Sequence, residues 1–441
     1  MGRTSGAAPL RTERPVTPPE PTPPELLQDL FEHAVRAADP AACVPPYLPE
    51  APSGRTFVAA AGKAAASMAR AVEEHWPKGN MSELFGLAVT RDGHGLDCER
   101  IEVIEASHPV PDARSREAAA RMLEAARALG PDDLLLALVS GGGSALMVQP
   151  APGITLEEKR AVNRALLMSG APIGDMNVVR RHLSAIKGGR LAAAAHPARI
   201  VTLAISDVPH DDVPTIASGP TVPDPSTREE ALAVLDRYDL DVSDSVRAHL
   251  GSSASETPKP GDAAFARTET HLVATPRLML DAAVAEARAR GIAVIDMGAD
   301  VEGEAWEVGE AHARRALDLV DHVDHPTLLL SGGETTVTVT GEAGRGGRNA
   351  EYLLSLAATL DGHERIHALA CDTDGIDGSE DNAGAIATPE TLARAREKGV
   401  DAGDHLARHD AYSFFDALGD LIVTGPTRTN VNDLRAILVT P

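Results

Sequence analysis

Short unbroken apolar runs alternate along most of this chain with stretches whose apolar positions recur every three to four residues. Phe57–Ala61, Leu84–Val89, Ile101–Glu105, Leu134–Val139 and Ile200–Ile205 read as strands. Leu26–Ala38, Ala64 to about His75, Ala113–Leu129 and Leu156–Ser169 carry helical spacing around them. The pattern resumes further on. Strands are expected at His271–Ala274, Ile292–Met297, Leu328–Leu330, Thr335–Thr340, Ile366–Cys371, Leu421–Thr424 and Ala436–Val439, and helices at Arg277–Arg290, Glu304–Val320 and Asn349–Leu360. Strands alternating with helices predict an α/β protein with mainly parallel sheets covered on both faces. A small, polar, proline-bearing stretch at 251–268 interrupts the rhythm and is the expected linker. It divides the chain into a first α/β domain at 25–250 and a second at 269–441. The proline-rich segment 1–24 is expected to be a disordered, dispensable tail.

Composition narrows the function classes. The 441 residues hold 41 Lys and Arg against 65 Asp and Glu, a net charge of −24, which opposes nucleic acid and anionic membrane alike. Aromatic residues are only 3%, so base stacking is poorly supplied. Three scattered cysteines and no signal-type or membrane-length apolar run suit a cytoplasmic protein acting on a small molecule. The oligomeric state is open, a homo-oligomer included.

Two serine–glycine turns, each after an apolar run, mark the candidate chemistry. Ser140-Gly141-Gly142-Gly143-Ser144 follows Leu134–Val139, and Ser331-Gly332-Gly333-Glu334 follows Leu328–Leu330. Turns without Cβ atoms let a ligand approach backbone N–H groups that favour anions, so phosphate or carboxylate oxygens are expected there. No common nucleotide motif is present. Phe57 and Ala64 break a P-loop reading of Gly62-Lys63, and Leu146 stands where a dinucleotide fingerprint needs glycine. Lys63 opens a helix after a strand. Arg180, Arg181, His182 and Lys187 form a basic run, and the loop ending at Arg348 and Asn349 carries two arginines among four glycines. Asp207 and the cluster Asp372, Asp374, Asp377 follow strands, where open α/β sheets place their sites and where a few carboxylates suit Mg²⁺. His94 and His108 sit in turns within reach of a substrate.

These stretches together resemble the type II glycerate 2-kinase family, whose C-terminal region is called MOFRL. The resemblance rests on Gly62-Lys-Ala-Ala-Ala-Ser-Met, His108-Pro-Val-Pro-Asp, Ser140-Gly-Gly-Gly-Ser-Ala-Leu, Lys187-Gly-Gly-Arg-Leu, Ile216-Ala-Ser-Gly-Pro-Thr, Ser331-Gly-Gly-Glu-Thr-Thr-Val, Gly346-Gly-Arg-Asn, Thr373-Asp-Gly-Ile-Asp-Gly and Thr429-Asn-Val-Asn-Asp. It implies an N-terminal Rossmann-like domain, a second mixed α/β domain holding the MOFRL region at about 327–435, and an active site in the cleft between them. It also implies ATP and Mg²⁺, with phosphoryl transfer to the 2-hydroxyl of D-glycerate. On that resemblance Lys63, Asp207 and Arg348 are the catalytic candidates. The two serine–glycine loops, Glu334 included, bind phosphate. His108, Arg181, Lys187 and Asn349 bind substrate, and Asp207 and Asp374 hold the metal. A hydroxypyruvate reductase, or a kinase of a related hydroxy acid or sugar acid, is the alternative. The chain departs from the family pattern at Ala350, Asp372, His409 and Arg428, and Asp372 and Arg428 are expected either to pair or to reshape the pocket.

Overall fold

The computed structural model describes residues 21–339, 341 and 344–441. Most of the expected tail therefore lies outside the described residues, and its last residues already belong to the helix Pro23–Ala37. Thr22 and Glu25 form a reciprocal cap at the start of that helix.

The first sheet has six strands: β1 (Thr56–Ala61), β2 (Leu84–Arg91), β3 (Ile101–Ala106), β4 (Leu134–Val139), β5 (Arg199–Ile205) and β6 (Thr268–Ala274). They lie in the order β3-β2-β1-β4-β5-β6 with every neighbouring pair parallel, the Rossmann order. Every residue of β1 and β4 is buried, which explains their continuous apolar sequences.

Strand β6 corrects the expected domain boundary. The 268–274 segment, assigned above to the second domain, pairs in parallel with β5 and completes the first sheet. The polar 251–268 stretch returns along the first domain, where the Arg190 guanidinium donates to the carbonyls of Ser255 and Glu256. The chain leaves the first sheet only at Thr275, whose hydroxyl caps the next helix, Pro276–Ala289.

Two excursions from the first sheet, before and after β5, build a helical lobe. Leu156–Met168, Ile173–His182, Arg228–Arg237 and Asp244–Gly251 pack around Leu166, Val179, Leu235 and Leu250.

The second sheet comprises β7 (Ala293–Asp296), β8 (Thr327–Ser331), β9 (Ile366–Asp372), β10 (Gly384–Ala387), β11 (Leu421–Ile422) and β12 (Asp433–Val439). Its order is β11-β10-β9-β12-β8-β7; only β7 and β8 run parallel. The expected strand at Thr335–Thr340 is absent over its described part, 335–339, apart from one bridge between Thr336 and Glu304. The Glu304 carboxylate accepts from the Thr338 amide, and β12 occupies the place beside β8 that a hairpin partner would need.

The two sheets are joined by more than a linker. The helix Pro23–Ala37 packs against Pro276–Ala289 and against β9 and β12. Leu27, Leu30 and Phe31 share one buried core with Leu138 and Leu203 of the first sheet and Cys371 and Leu434 of the second. This common core fixes the cleft in which the site lies.

Candidate active site

Neighbouring strands β1 and β4 send their chains in opposite directions along the sheet, toward β2 and toward β5. A crevice opens at their carboxyl ends, the place where such sheets bind ligands. The turn after β1 carries Lys63 into it and the turn after β4 carries Ser140–Ser144. The Lys63 amide donates to the Gly141 carbonyl at 2.8 Å, and the Ser140 hydroxyl accepts from the Ala64 amide at 3.1 Å. A Cβ on Gly141 would lie 2.0 Å from Asp207 Oδ2, so this position admits only glycine beside the carboxylate. Gly142 has φ +78°, and a Cβ there would lie 2.9 Å from His108 Nε2. The Ser144 and Ser218 hydroxyls lie 2.6 Å apart, and Gly143 packs on Ala217.

The second domain closes the crevice from the far side. Lys63 Nζ donates to Asp374 Oδ2 at 2.5 Å. Asn430 Nδ2 donates to Asp207 Oδ2 at 2.9 Å, and the Ser67 hydroxyl donates to the Arg428 carbonyl at 2.6 Å. Burial pulls the Lys63 ammonium's proton affinity down, but Asp374, Asp372 and Asp207 outweigh it and raise its pKa, so Lys63 is a cation at neutral pH. Burial raises Asp207 to about 6 despite Lys63, with Glu334 and Asp374 adding to the rise. Burial, then Lys63 and Arg91, lower His108 to about 4, leaving a neutral imidazole. His94 is buried, and neither ring nitrogen has a partner among the described residues.

Arg348 begins the helix Arg348–Leu360 and is enclosed by carboxylates. Its guanidinium reaches Glu334 at 3.0 Å, Asp372 at 2.8 Å and Asp433 at 2.9 Å. Burial pushes Asp372 up, reinforced by the Asp374 charge and opposed by Arg348; Lys63 holds Asp374 down against its own burial. Asp372 Oδ1 accepts from the Asp374 amide, so Arg348 and Lys63 are linked through two aspartates. Asp372 thus pairs with Arg348. Arg428, the partner named as one alternative from the sequence, instead occupies a left-handed turn at φ +61°.

Other candidates divide clearly. Lys187 faces the first loop, its ammonium donating to the Ser144 carbonyl at 2.6 Å. Arg181 turns away toward the buried Asp224 at 3.4 Å and does not line the cavity beside that loop. Asn349 is fully buried and bonded to Asp433 and Asp377. In the second serine–glycine loop the Gly332 amide is taken by the Gly298 carbonyl, and the Ser331 hydroxyl is buried. Glu334 and Arg348 line a neighbouring cavity of about 420 Å³. Sequence reading did not single out Asn430 or Asp433, although both lie in the Thr429–Asp433 stretch that carries the resemblance.

A Rossmann-order sheet facing a mixed sheet, with a lysine and carboxylates from both meeting in the crevice, defines a two-domain α/β protein of the MOFRL architecture. Residues 327–433 match the MOFRL family, and residues 26–251 match a domain described only as of unknown function (DUF4147). A protein from Agrobacterium vitis, provisionally named as a hydroxypyruvate reductase, is 52% identical over 94% of this chain and 94% of its own. A glycerate 2-kinase from Pyrococcus horikoshii is 39% identical over 88% of each chain. A crystal structure of glycerate kinase from Thermotoga maritima superposes with a TM-score of 0.86 at 37% identity, covering 94% of this chain and 99% of that one. The chain belongs to the MOFRL glycerate kinase family. Among the described residues no helix is long and apolar enough to cross a membrane.

Proposed function

We propose that the protein transfers the γ-phosphoryl group of ATP to the 2-hydroxyl of D-glycerate, releasing ADP and 2-phospho-D-glycerate. One observation carries the reading above the others: Lys63 stands charged in the crevice between Asp374 of one domain and Asp207 of the other. Phosphoryl transfer asks a protein chiefly to position two substrates and neutralise charge on the moving group. Lys63 supplies that charge. Asp207, with a pKa of about 6, is mostly ionised at neutral pH yet close enough to it to accept the hydroxyl proton. Asn430 fixes the orientation of the carboxylate.

Mg²⁺ belongs to the nucleotide substrate in this reading. The described residues form no cluster of three or more acidic, histidine or cysteine ligands, so a resident metal has no built cage. Asp374 and Asp207 do offer the few carboxylate oxygens that a nucleotide-borne Mg²⁺ accepts. The ion would add charge neutralisation at the phosphates. Arg348, held by three carboxylates, supports Asp372 and through it Asp374, and it borders the cavity of about 420 Å³ beside Glu334, which in this reading takes the nucleotide.

The names of the Agrobacterium relatives favour a reductase as the second reading. Against it, the crevice at β1 and β4 holds Lys63, and Leu146 fills the position of the third fingerprint glycine. The deciding experiment measures ADP release from ATP·Mg²⁺ with D-glycerate, with the product passed directly to enolase. Immediate conversion by enolase without a mutase identifies 2-phosphoglycerate. Oxidation of NADH or NADPH with hydroxypyruvate, and no ADP release, would replace the kinase reading.

A further inference from the structure

Beside the first serine–glycine loop, under the helical lobe, lies a cavity of about 180 Å³. Pro109, Pro111 and Val148 form its apolar wall, and none of its lining residues is acidic. Three basic side chains line it: Lys159, Arg180 and Lys187. Lys159 and Lys187 are only 3% and 2% exposed. Lys159 Nζ donates to the carbonyls of Arg180 and Leu183, both at 3.1 Å, and Lys187 Nζ donates to Ser144. An ammonium has three donors, so both lysines keep capacity in hand. Among the described residues Arg180 makes only long contacts, to Asn177 and the Met176 sulfur, and its buried Nε has no partner.

Charges buried without a counterion are unfavourable, and they are retained where a ligand supplies the opposite charge. Burial lowers Lys159 to about 7 and depresses Lys187 well below its ordinary value, consistent with a site that awaits an anion. The neighbouring Arg181 already has Asp224, so the lack of a carboxylate here is local to this cavity. A phosphate chain carrying Mg²⁺ fits poorly, because no carboxylate lines the cavity to hold the metal and the basic groups that an anion would charge would repel it. The carboxylates lie on the Lys63 side, and the larger cavity lies beyond them beside Glu334, whose charge reaches Asp207. A space of about 180 Å³ with apolar walls suits a short carbon skeleton with one carboxylate.

We propose that Lys159, Arg180 and Lys187 bind the carboxylate of the hydroxy-acid acceptor, with Asn163 and His108 facing its hydroxyl groups, so that this cavity selects the acceptor. His108 joins the cavity to the crevice, since it lines the first and touches Gly142 in the second. The identity of the acid rests on the kinase reading; the assignment of the cavity to a small carboxylate does not.

The test uses the full chain and the variants Arg180→Gln and Arg180→Lys, with circular dichroism to establish folding. Loss of a charged hydrogen-bonding group should raise the KM for D-glycerate about 30-fold in Arg180→Gln and leave the KM for ATP within about twofold. Arg180→Lys keeps the charge, serves as the folding control for the glutamine variant, and should recover part of the loss. Calorimetric titration without nucleotide should find D-glycerate and D-lactate binding to the wild type, glycerol failing, and both acids weakened in Arg180→Gln. Acid binding that depends on Arg180 without any ADP release would keep the cavity and remove the kinase reading. Unchanged acid binding in both variants, or a defect confined to ATP·Mg²⁺, would overturn the cavity assignment.

Discussion

The two serine–glycine turns are near-copies in sequence and differ in what adjoins them. Ser140–Ser144 follows β4, whose neighbours β1 and β5 are both parallel, so the chain diverges and a crevice is left open. Ser331–Glu334 follows β8, whose neighbour β12 is antiparallel and begins where β8 ends, with Arg435 opposite Ser331. Asp433 and Arg435 therefore arrive at the second turn and take up its carbonyls: the Gly332 carbonyl accepts from Arg435, the Gly333 carbonyl from the Asp433 amide, and Arg348 closes over Asp433. The direction of the adjoining strand decides what packs beside a glycine turn that follows a strand. The sequence of the turn does not contain that information.

Breaking the comparison at its charges should give the largest effects. Lys63→Met removes the cation over the open turn and should lower kcat for ADP release by roughly 10²–10³, the scale of losing one preorganised electrostatic group. Arg348→Ala strips the cation from Asp372 and Asp433 around the filled turn. Removing one partner of a buried ion pair costs about 3–5 kcal/mol, so its urea midpoint should fall steeply. Arg348→Ala with wild-type stability and no turnover would make Arg348 a ligand-binding group and erase the distinction between the turns.

Backbone substitutions sharpen the contrast at smaller cost. Gly333 has φ +99°, and a Cβ would lie 2.2 Å from the Val301 amide nitrogen. Backbone cannot step aside as a side chain can, so Gly333→Ala should lose about 3 kcal/mol of stability from overpacking and a disfavoured φ. At Gly142 the Cβ would meet the tip of His108, which can rotate, and the left-handed φ alone should cost about 1 kcal/mol. Its activity should fall more than its stability, because His108 is displaced from the crevice. Thermal unfolding and ADP release on both variants check this; equal stability losses would mean that the first turn is as tightly packed as the second.

What the sequence made legible follows the same division between local and non-local causes. Buried parallel strands such as Leu134–Val139 announce themselves because both faces are apolar. Lys63, Asp207 and Asp374 could be singled out because each stands just past a strand. Sheet membership could not be read: the polar loop before β6 looks like a domain boundary, and only pairing with β5 shows otherwise. Thr335–Thr340 alternates like a strand, yet Glu304 takes the Thr338 amide. Gly384–Ala387 is a real strand of four residues, three of them Gly or Ala, without a strand-like pattern. Arg180 and Arg181 are adjacent, and which one faces a cavity depends on the phase of a helix against a neighbour. Lys159 follows two glutamates and reads as part of a solvated face, although the lobe buries it.

The smallest effect expected concerns Asp207 and tests the open crevice most finely. With a pKa of about 6, raised mainly by burial, Asp207 accepts the hydroxyl proton only when ionised. The acid limb of kcat/KM should therefore fall below about pH 6, tenfold for each further unit. The Asn430 amide donates to this carboxylate and favours its charged form. Asn430→Ala removes that support, raises the pKa and moves the acid limb to higher pH by about half a unit, equivalent to about 0.7 kcal/mol. A shift toward lower pH would mean that Asn430 stabilises the protonated acid, and Asp207 would then be a donor in the crevice and not its base. An acid limb unmoved in Asn430→Ala and absent from Asp207→Asn would place the proton acceptor elsewhere, with the neutral His108 as the next group to substitute.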